Sequence, residues 1–442
     1  MTKDTFLINY NEEEIQNHLK VALDQLIKPL NQRENNGLIR KLTLATTLIS
    51  SKEDNYIDFS SNDYLSLSEK GSPLQSEIKK QFNNSDNNIT SGSTGSRLLD
   101  GNYKEIEQLE ELASRFHSSS SALLFNSGFD ANVSLFSTIA TKESTIIYDQ
   151  LIHASIHDGL KLSKCQHKLA FKHNDLSHLE VILTKTRKLH NNNIYIAVES
   201  VYSMDGDKAD IKKLVSLCLK YKAQLIIDEA HATGIYGKNG EGLTNEALNN
   251  DYNLINNLIL ARIITYGKSF CNHGAVILCN SILKQYLINY ARPLIYSTFL
   301  PPITCLTIQC AYKVIMDQQI GGKLRQNLLA IINEFKQLSY ELLPHHLLTP
   351  STTQIQAVLA PGNFFALKLT HHLQSKGYLV RAIRYPTVPK GQERIRICLR
   401  ASHNKEQLRS FLNEVLTFIQ LKRPTLLSSI NDGHSKDPSS KL

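Results

Sequence analysis

The chain has 442 residues, of which 41% are hydrophobic and 20% charged, with 49 Lys and Arg against 41 Asp and Glu for a formal net charge of +8. A chain of that length buries enough apolar surface to fold without disulfide or metal staples, and its composition is that of an ordinary globular protein. No run of five or six basic residues occurs and aromatics are not interleaved with basic residues, so nucleic-acid binding has no support.

The positive balance has two readings: scattered surface lysines, or a field that draws in anionic partners such as phosphates, coenzyme A or an acidic carrier protein. The cysteines (Cys165, Cys218, Cys271, Cys279, Cys305, Cys310 and Cys398) form no CxxC pair and no Cys/His cluster with metal spacing. They read as thiols of a reducing compartment, and no metal is expected. The start, MTKDTFLINYNEEE, lacks signal-peptide character. The apolar stretch LINNLILARIITY is broken by Asn256, Asn257 and Arg262 and cannot span a bilayer. A cytoplasmic protein with no membrane partner is expected.

Along the chain, Ile15, Leu19, Leu23 and Leu26 recur at helical spacing and predict a helix over 12–30. A polar segment leads to GLIRKL (37–42), then to turn-rich FSSNDYLSLS (59–68) and Gly/Ser-rich TSGSTGSRLLDG (90–101). A helix over 104–117 sets Ile106, Leu109, Leu112 and Phe116 on one face; a strand at 121–125 and a helix at 130–140 follow. Strands are expected at 144–149, 193–200, 223–231, 258–268 and 274–279, with a helix over 210–222. Apolar β-branched strands separated by helices predict an α/β fold with a largely parallel sheet covered on both faces. After RPLIYSTFLPP (292–302) the composition shifts to a helical stretch (303–345). Strands near 353–360, 378–383 and 394–399 then alternate with helices near 363–377 and 404–421. The expected division is an N-terminal helix and arm (1–60), a large domain (61–300), a smaller C-terminal α/β domain (301–424) and a polar, disordered tail (425–442).

In open α/β sheets, ligands bind beyond the carboxyl ends of the strands. Asp228 ends one strand, His231 follows it by three residues, Lys268 ends another strand region, and SGF (127–129) lies between strand and helix. Singly, each has a plain alternative: a helix cap, a solvated charge, a turn. Together they suit pyridoxal 5′-phosphate. A glycine opening a helix lets backbone N–H groups hold a phosphate. An aspartate keeps the pyridine nitrogen protonated and the ring an electron sink. A lysine in a partly dry pocket can form a Schiff base. His153 is the candidate aromatic for the ring face.

These residues sit in segments that resemble the α-oxoamine synthase family of fold-type I pyridoxal-phosphate enzymes. The segments include FSSNDYLSLS, TSGSTGSRLLDG, FNSGFDAN, LIHASIHDG, VESVYSMDGD, IIDEAHATGIYG, TYGKSF, LIYSTFLPP and AIRYPTVPKGQERIRI, and the resemblance runs from about 37 to 403. It implies a mostly parallel seven-stranded sheet and a decarboxylating acyltransferase that joins an amino acid to an acyl thioester. It assigns Lys268 to the Schiff base, Asp228 to the pyridine nitrogen, His231 to the ring hydroxyl and His153 to stacking. It gives Gly128, Phe129, Thr265 and Ser203 to further cofactor contacts, and Ser297 and Thr298 to the phosphate of the other subunit of a homodimer. Arg396 matches the arginine that pairs with the amino-acid carboxylate.

Within the family, AIRYPTVPKG, FKHNDLSHLEVIL and LIYSTFLPP resemble the branch that joins alanine to a pimeloyl thioester. Arg40 and Thr387 match its substrate-contacting positions, and Arg384 is a candidate for the acyl chain's end; plain surface solvation is the alternative for both arginines. Ile106, Ala232, Cys271, Tyr385 and Arg400 depart from the family pattern, and Cys271 and Arg400 bear on the shape of the substrate pocket. Three alternatives stay open: a sister enzyme using glycine and a short acyl group, an aminotransferase of the same fold, and a non-catalytic partner subunit. The last loses the lysine that this chain keeps.

Overall fold

The computed structural model describes residues 20–40, 42, 56–84, 90–189 and 192–427. The first part of the expected helix over 12–30, most of the polar tail and Lys41 of GLIRKL lie outside the described residues. The strands in chain order are β1 (Ile57–Asp58), β2 (Ser121–Phe125), β3 (Thr145–Asp149), β4 (His167–Phe171), β5 (Ile194–Glu199) and β6 (Gln224–Asp228). They continue with β7 (Ile259–Thr265), β8 (Ala275–Cys279), β9 (Ile355–Leu359), β10 (Tyr378–Leu379), β11 (Arg381–Ile383) and β12 (Arg394–Cys398).

Seven strands form one sheet in the order β2-β8-β7-β6-β5-β3-β4. β3, β4, β5, β6 and β7 run parallel, while β8 is antiparallel to both β7 and β2. The carboxyl ends of β2, β3, β5, β6 and β7 therefore share one edge. Ile146, Ile147, Ile196, Ala197, Leu225, Ile227, Ile263 and Ile264 are buried, as an interior strand with both faces covered requires. Edge strand β4, with the sequence HKLAF, buries only its last residue, Phe171. That exposure removes the apolar run by which a strand is read from sequence, and no strand is expected there.

The chain divides into two compact units, 58–358 with 396–442, and 1–57 with 359–395. The helices Pro302–Met316, Lys323–Leu342 and Lys405–Lys422 thus fall in the larger unit, on the other side of a boundary set at 300 by composition. Pro302–Met316 packs on the helices Pro73–Asn84 and Lys104–Phe116. Its Tyr312 hydroxyl meets both Tyr266 and His117 at 3.1 Å. The helical stretch expected over 303–345 is formed by Pro302–Met316 and Lys323–Leu342, joined at Asp317, whose carboxylate caps a π-turn at Gln318–Gly322. In the smaller unit, the helix Lys20–Asn35 ends where Asn363 donates a side-chain hydrogen bond to the Asn36 carbonyl at 3.1 Å. No helix among the described residues is long and apolar enough to cross a membrane.

The core carries ionisable groups that read pH. His117 is fully buried between the Glu241 carbonyl (2.6 Å) and the Tyr312 hydroxyl (3.1 Å). Burial, with the neighbouring Arg262 guanidinium, lowers it to about 3. The folded state thus excludes a proton that the unfolded chain accepts near about pH 6.5. His117 therefore contributes fully above that value and loses its contribution as pH falls towards 3. The thermal midpoint of the native protein should drop more steeply between pH 6.5 and 4 than that of a His117→Gln variant; parallel curves would exclude His117 as the source.

Candidate active site

The parallel register lines up the chemistry. Glu199 at the end of β5 faces Asp228 at the end of β6, Asp228 faces Ile263 of β7, and Thr265 faces Ala275 across to β8. Phe125 of β2 also faces Ala275, so Ser127 and Gly128 leave their strand beside the end of β7. Ser127 caps the helix Gly128–Thr138 by accepting from the Asp130 N–H at 3.0 Å. A Cβ on Gly128 would stand 3.3 Å from Thr265 Oγ1, tight enough to crowd the space between helix start and hydroxyl. That gap, with free N–H groups at a helix N-terminus, is a cradle for a phosphate.

Lys268 lies in the loop between β7 and β8, in a turn closed by the Cys271 N–H donating to the Lys268 carbonyl at 2.8 Å. Among the described residues its ammonium meets no carboxylate within ion-pair distance. Nζ lies 3.0 Å from His231 Nε2. Burial, only partly offset by the charges of Asp228 and Glu199, brings Lys268 down to about 8. An amine so poised is a nucleophile and base near neutrality. His231 is itself pushed well below the usual histidine range by burial, with Lys268 and Arg396 adding to the effect.

Two hydrogen-bond chains fix the surrounding groups. Tyr64 donates to Asn62 Oδ1 at 2.9 Å, so the His231 Nδ1 contact at 2.8 Å makes Nδ1 the donor and leaves Nε2 to accept from Lys268. Arg396 donates to Asn62 Oδ1 at 3.1 and 3.2 Å and, through Nε, to the Ser203 carbonyl at 2.7 Å. In the second chain, Asn132 Nδ2 donates to Asp228 Oδ2 at 2.7 Å and to Ser155 Oγ at 3.0 Å. Ser155 Oγ then gives its proton to His153 Nδ1 at 2.7 Å. The Ala230 N–H supplies Asp228 Oδ1 at 2.9 Å. Asp228 and His153, 75 residues apart in sequence, are thus oriented through the same Asn132–Ser155 link. His153 keeps an exposed ring, ready to lie against a planar ligand.

Lys268, Asp228, His231, Arg396, Ser203, Thr265 and Gly128 all belong to the larger unit, as do His153 and Phe129, whose side chain is exposed. Thr298 is exposed and Ser297 half-buried just beyond, with Asn126 Nδ2 donating to the Thr298 carbonyl at 2.8 Å. Arg40, Arg384 and Thr387 belong to the smaller unit. There, Thr387 closes a turn onto the Arg384 carbonyl at 2.8 Å, and burial together with Arg40 and Arg33 lowers Arg384.

Asn62, Tyr64, Asn132, Ser155, Glu199 and His173 enter the site without having been assigned a role from sequence. His173 bridges Asp149 and Asp207 at 2.9 Å each. Burial works against its charge, but the two carboxylates outweigh burial and raise it to about 10. The bridge ties the end of β3 to the SMDGD turn that carries Ser203. Gly206 lets that turn close at φ +71, where a Cβ would stand 2.0 Å from the Ile355 carbonyl.

The departures resolve individually. Arg400 is buried and turned away into ion pairs with Asp63 (3.1 Å) and Glu69 (3.2 Å), so its charge is spent on the fold. Cys271 occupies the left-handed region at φ +50, which accounts for the glycine preference at that position.

The comparisons with known proteins agree with this geometry. The family model described as aminotransferase class I and II matches residues 54–415. An 8-amino-7-oxononanoate synthase of Emericella nidulans is 37% identical over 420 residues, covering 91% of this chain and 97% of that protein. Among solved structures, the serine palmitoyltransferase of Sphingomonas wittichii matches with TM-score 0.74 and 26% identity, over 83% of this chain and 88% of the other. The 8-amino-7-oxononanoate synthase of Francisella tularensis matches with TM-score 0.67 and 28% identity, over 84% and 99%.

The chain belongs to the class I and II aminotransferase family, in its α-oxoamine synthase branch, with the fold-type I architecture. It is a pyridoxal 5′-phosphate-dependent acyltransferase-type enzyme. The residues present fit that cofactor: a helix-start cradle for the phosphate, a buried carboxylate, an exposed imidazole face and a desolvated lysine.

Replacing Cys271 by glycine should relieve the left-handed strain and raise stability by up to about 1 kcal/mol, while valine there should lower it by a similar amount or more. Thermal unfolding of the two variants checks the order; a valine variant as stable as the glycine one would contradict the backbone assignment.

Proposed function

We propose that the chain acts as an 8-amino-7-oxononanoate synthase, condensing L-alanine with a pimeloyl thioester and releasing carbon dioxide and the free thiol. The observation that carries the chemistry is Lys268, brought to about 8 and held 3.0 Å from His231 in one hydrogen-bonded group with Arg396. The relative of that name, alignable over nearly the whole chain, supports the choice of substrates.

Lys268 Nζ would be the attachment point of the cofactor and, when free, the base that takes the proton from alanine Cα. Asp228 would accept from the ring nitrogen, His231 would meet the ring hydroxyl and the exposed ring of His153 would stack on the cofactor. The backbone of Gly128 and Phe129, with the Thr265 hydroxyl, would hold the phosphate, and Ser203 would be a further contact. Pyridoxal 5′-phosphate supplies an electron-withdrawing pyridinium that stabilises negative charge at the substrate Cα. Arg396 clamps the alanine carboxylate with its guanidinium fork. Ser297 and Thr298 would reach the phosphate held by a second copy of the chain, so that the working unit would be a homodimer in the cytoplasm.

For the acyl half, Arg40 and Arg33 lie near Arg384 in the smaller unit and make its charge costlier. Such a group favours an anion between its members, and the free carboxylate of a pimeloyl chain has that charge. Thr387, in the same turn, would contact the acyl chain. The thiol carrier is coenzyme A or an acyl carrier protein; the phosphates of either suit a basic surface.

Thiol release from pimeloyl thioester should depend on L-alanine, with little release from acetyl or succinyl thioester. Dependence on glycine with a short acyl group would move the enzyme to a sister activity, and keto-acid formation without thiol release would make it an aminotransferase. Lys268→Ala should cut turnover at least about a thousandfold, and retained turnover would overturn the role of Lys268. Arg384→Ala should raise KM for the pimeloyl donor about tenfold or more; an unchanged KM would remove Arg384 from the acyl subsite.

A further inference from the structure

His173 stands just beyond edge strand β4, and the mechanism gives it no task. Its Nδ1 lies 2.9 Å from Asp149 Oδ1 and its Nε2 2.9 Å from Asp207 Oδ2. An ionised carboxylate only accepts, so both ring nitrogens donate and the ring is the imidazolium. The Asp149 end is fixed. Asp149 is fully buried at the end of β3, and its oxygens also accept from the Leu151 and Asn174 N–H groups at 2.8 Å each. The Asp207 end belongs to a turn, closed by the Tyr202 N–H donating to the Asp207 carbonyl and the Gly206 N–H to the Tyr202 carbonyl, both at 3.0 Å. Asp207 Oδ2 has Asn174 Nδ2 as its other donor, and Asp207 Oδ1 is buried with no hydrogen-bond partner among the described residues. The Tyr202 ring stands nearly perpendicular to the His173 ring, 4.4 Å between centroids. Ser203 sits inside this turn, and its carbonyl accepts from Arg396 Nε at 2.7 Å.

We propose that His173 is a positioning residue for the substrate carboxylate: its imidazolium braces the Tyr202–Asp207 turn against the end of β3, and the Ser203 carbonyl of that turn aims the Arg396 guanidinium. Each link is a hydrogen bond of the fold: Asp149 to His173, His173 to Asp207, Asp207 to Tyr202, and Ser203 to Arg396. Arg396 is held at Nε by the Ser203 carbonyl and at both Nη atoms by Asn62 Oδ1, at 3.1 and 3.2 Å. Those contacts fix the plane of the guanidinium, which two-point recognition of a carboxylate requires. The turn is also held from its other side, where the Ser351 and Thr353 hydroxyls donate to the Gly206 carbonyl at 2.9 and 2.7 Å. Loss of His173 therefore loosens the turn without unfolding it, and the effect falls on the aim of Arg396.

The inference rests on Arg396 holding the alanine carboxylate, and Arg396→Ala is the control that separates the two. The amide nitrogen of asparagine stands where imidazole Nδ1 does, and that of glutamine where Nε2 does. His173→Asn therefore keeps the Asp149 contact and drops the Asp207 one, and His173→Gln does the reverse. In the holoenzyme, the spectral change on adding alanine should report binding about tenfold weaker in His173→Asn and within about twofold of native in His173→Gln. Binding of ethylamine, which has no carboxylate, should be unchanged in both, and kcat should move less than KM for alanine. Equal losses in the two variants, no loss in His173→Asn, or an equal loss for ethylamine would overturn the proposal. Asp207→Ala, which cuts only the turn end, should weaken alanine binding as much as His173→Asn does. It decides alone if the His173 variants do not fold, and native-like binding there sinks the idea. If Arg396→Ala binds alanine as the native protein does, the carboxylate assignment fails and the proposal with it. A weakened Arg396→Ala beside a native-like His173→Asn leaves that assignment standing and removes only His173.

Discussion

Burying an ammonium group without giving it a carboxylate is costly, and the site is organised around that cost at Lys268. The side chain meets a neutral imidazole, that of His231, and the carboxylates nearest to it act only at a distance. Every other group in the site follows from this choice. His231 must stay neutral, so its Nδ1 is engaged by Tyr64 and its surroundings are dry. Asp228 stands on its own strand end, where Asn132 and the Ala230 N–H hold its two oxygens.

The sheet makes that arrangement possible with few residues. Parallel strands bring their carboxyl ends to one edge, and a register of Glu199 to Asp228 to Ile263 places side chains from distant parts of the chain side by side. The polar links that cross between strand ends (Asn132 to Ser155 and His173 to Asp149 and Asp207) then remove the remaining rotational freedom. Such supporting contacts cost little in area and fix geometry to within a hydrogen bond's tolerance.

Much of this was legible in the sequence, and the reasons for the remainder are physical. Interior strands such as β5 and β6 announce themselves because both faces are apolar, and Asp228 marks where one of them stops. Edge strand β4 does not, because HKLAF exposes its side chains to water. Lys268, His231 and Asp228 stand in recognisable segments, but Asn132, Ser155, Tyr64 and Glu199 act through partners far away in sequence. Tyr64 and His231 are 167 residues apart, and no local pattern records their contact. Arg400 shows the converse. In sequence it stands four places beyond Arg396; in the fold it is neutralised by Asp63 and Glu69.

The reversed strand β8 has a consequence for Lys268. A parallel successor to β7 would have required a long crossover, but an antiparallel one returns at once, with Thr265 and Ala275 directly opposed. The lysine therefore rides on a short span tethered at both ends to adjacent strands of the sheet. Its backbone is ordered when the sheet forms, so that the entropy of ordering it is lost in folding, and only the four-carbon stem remains free to move.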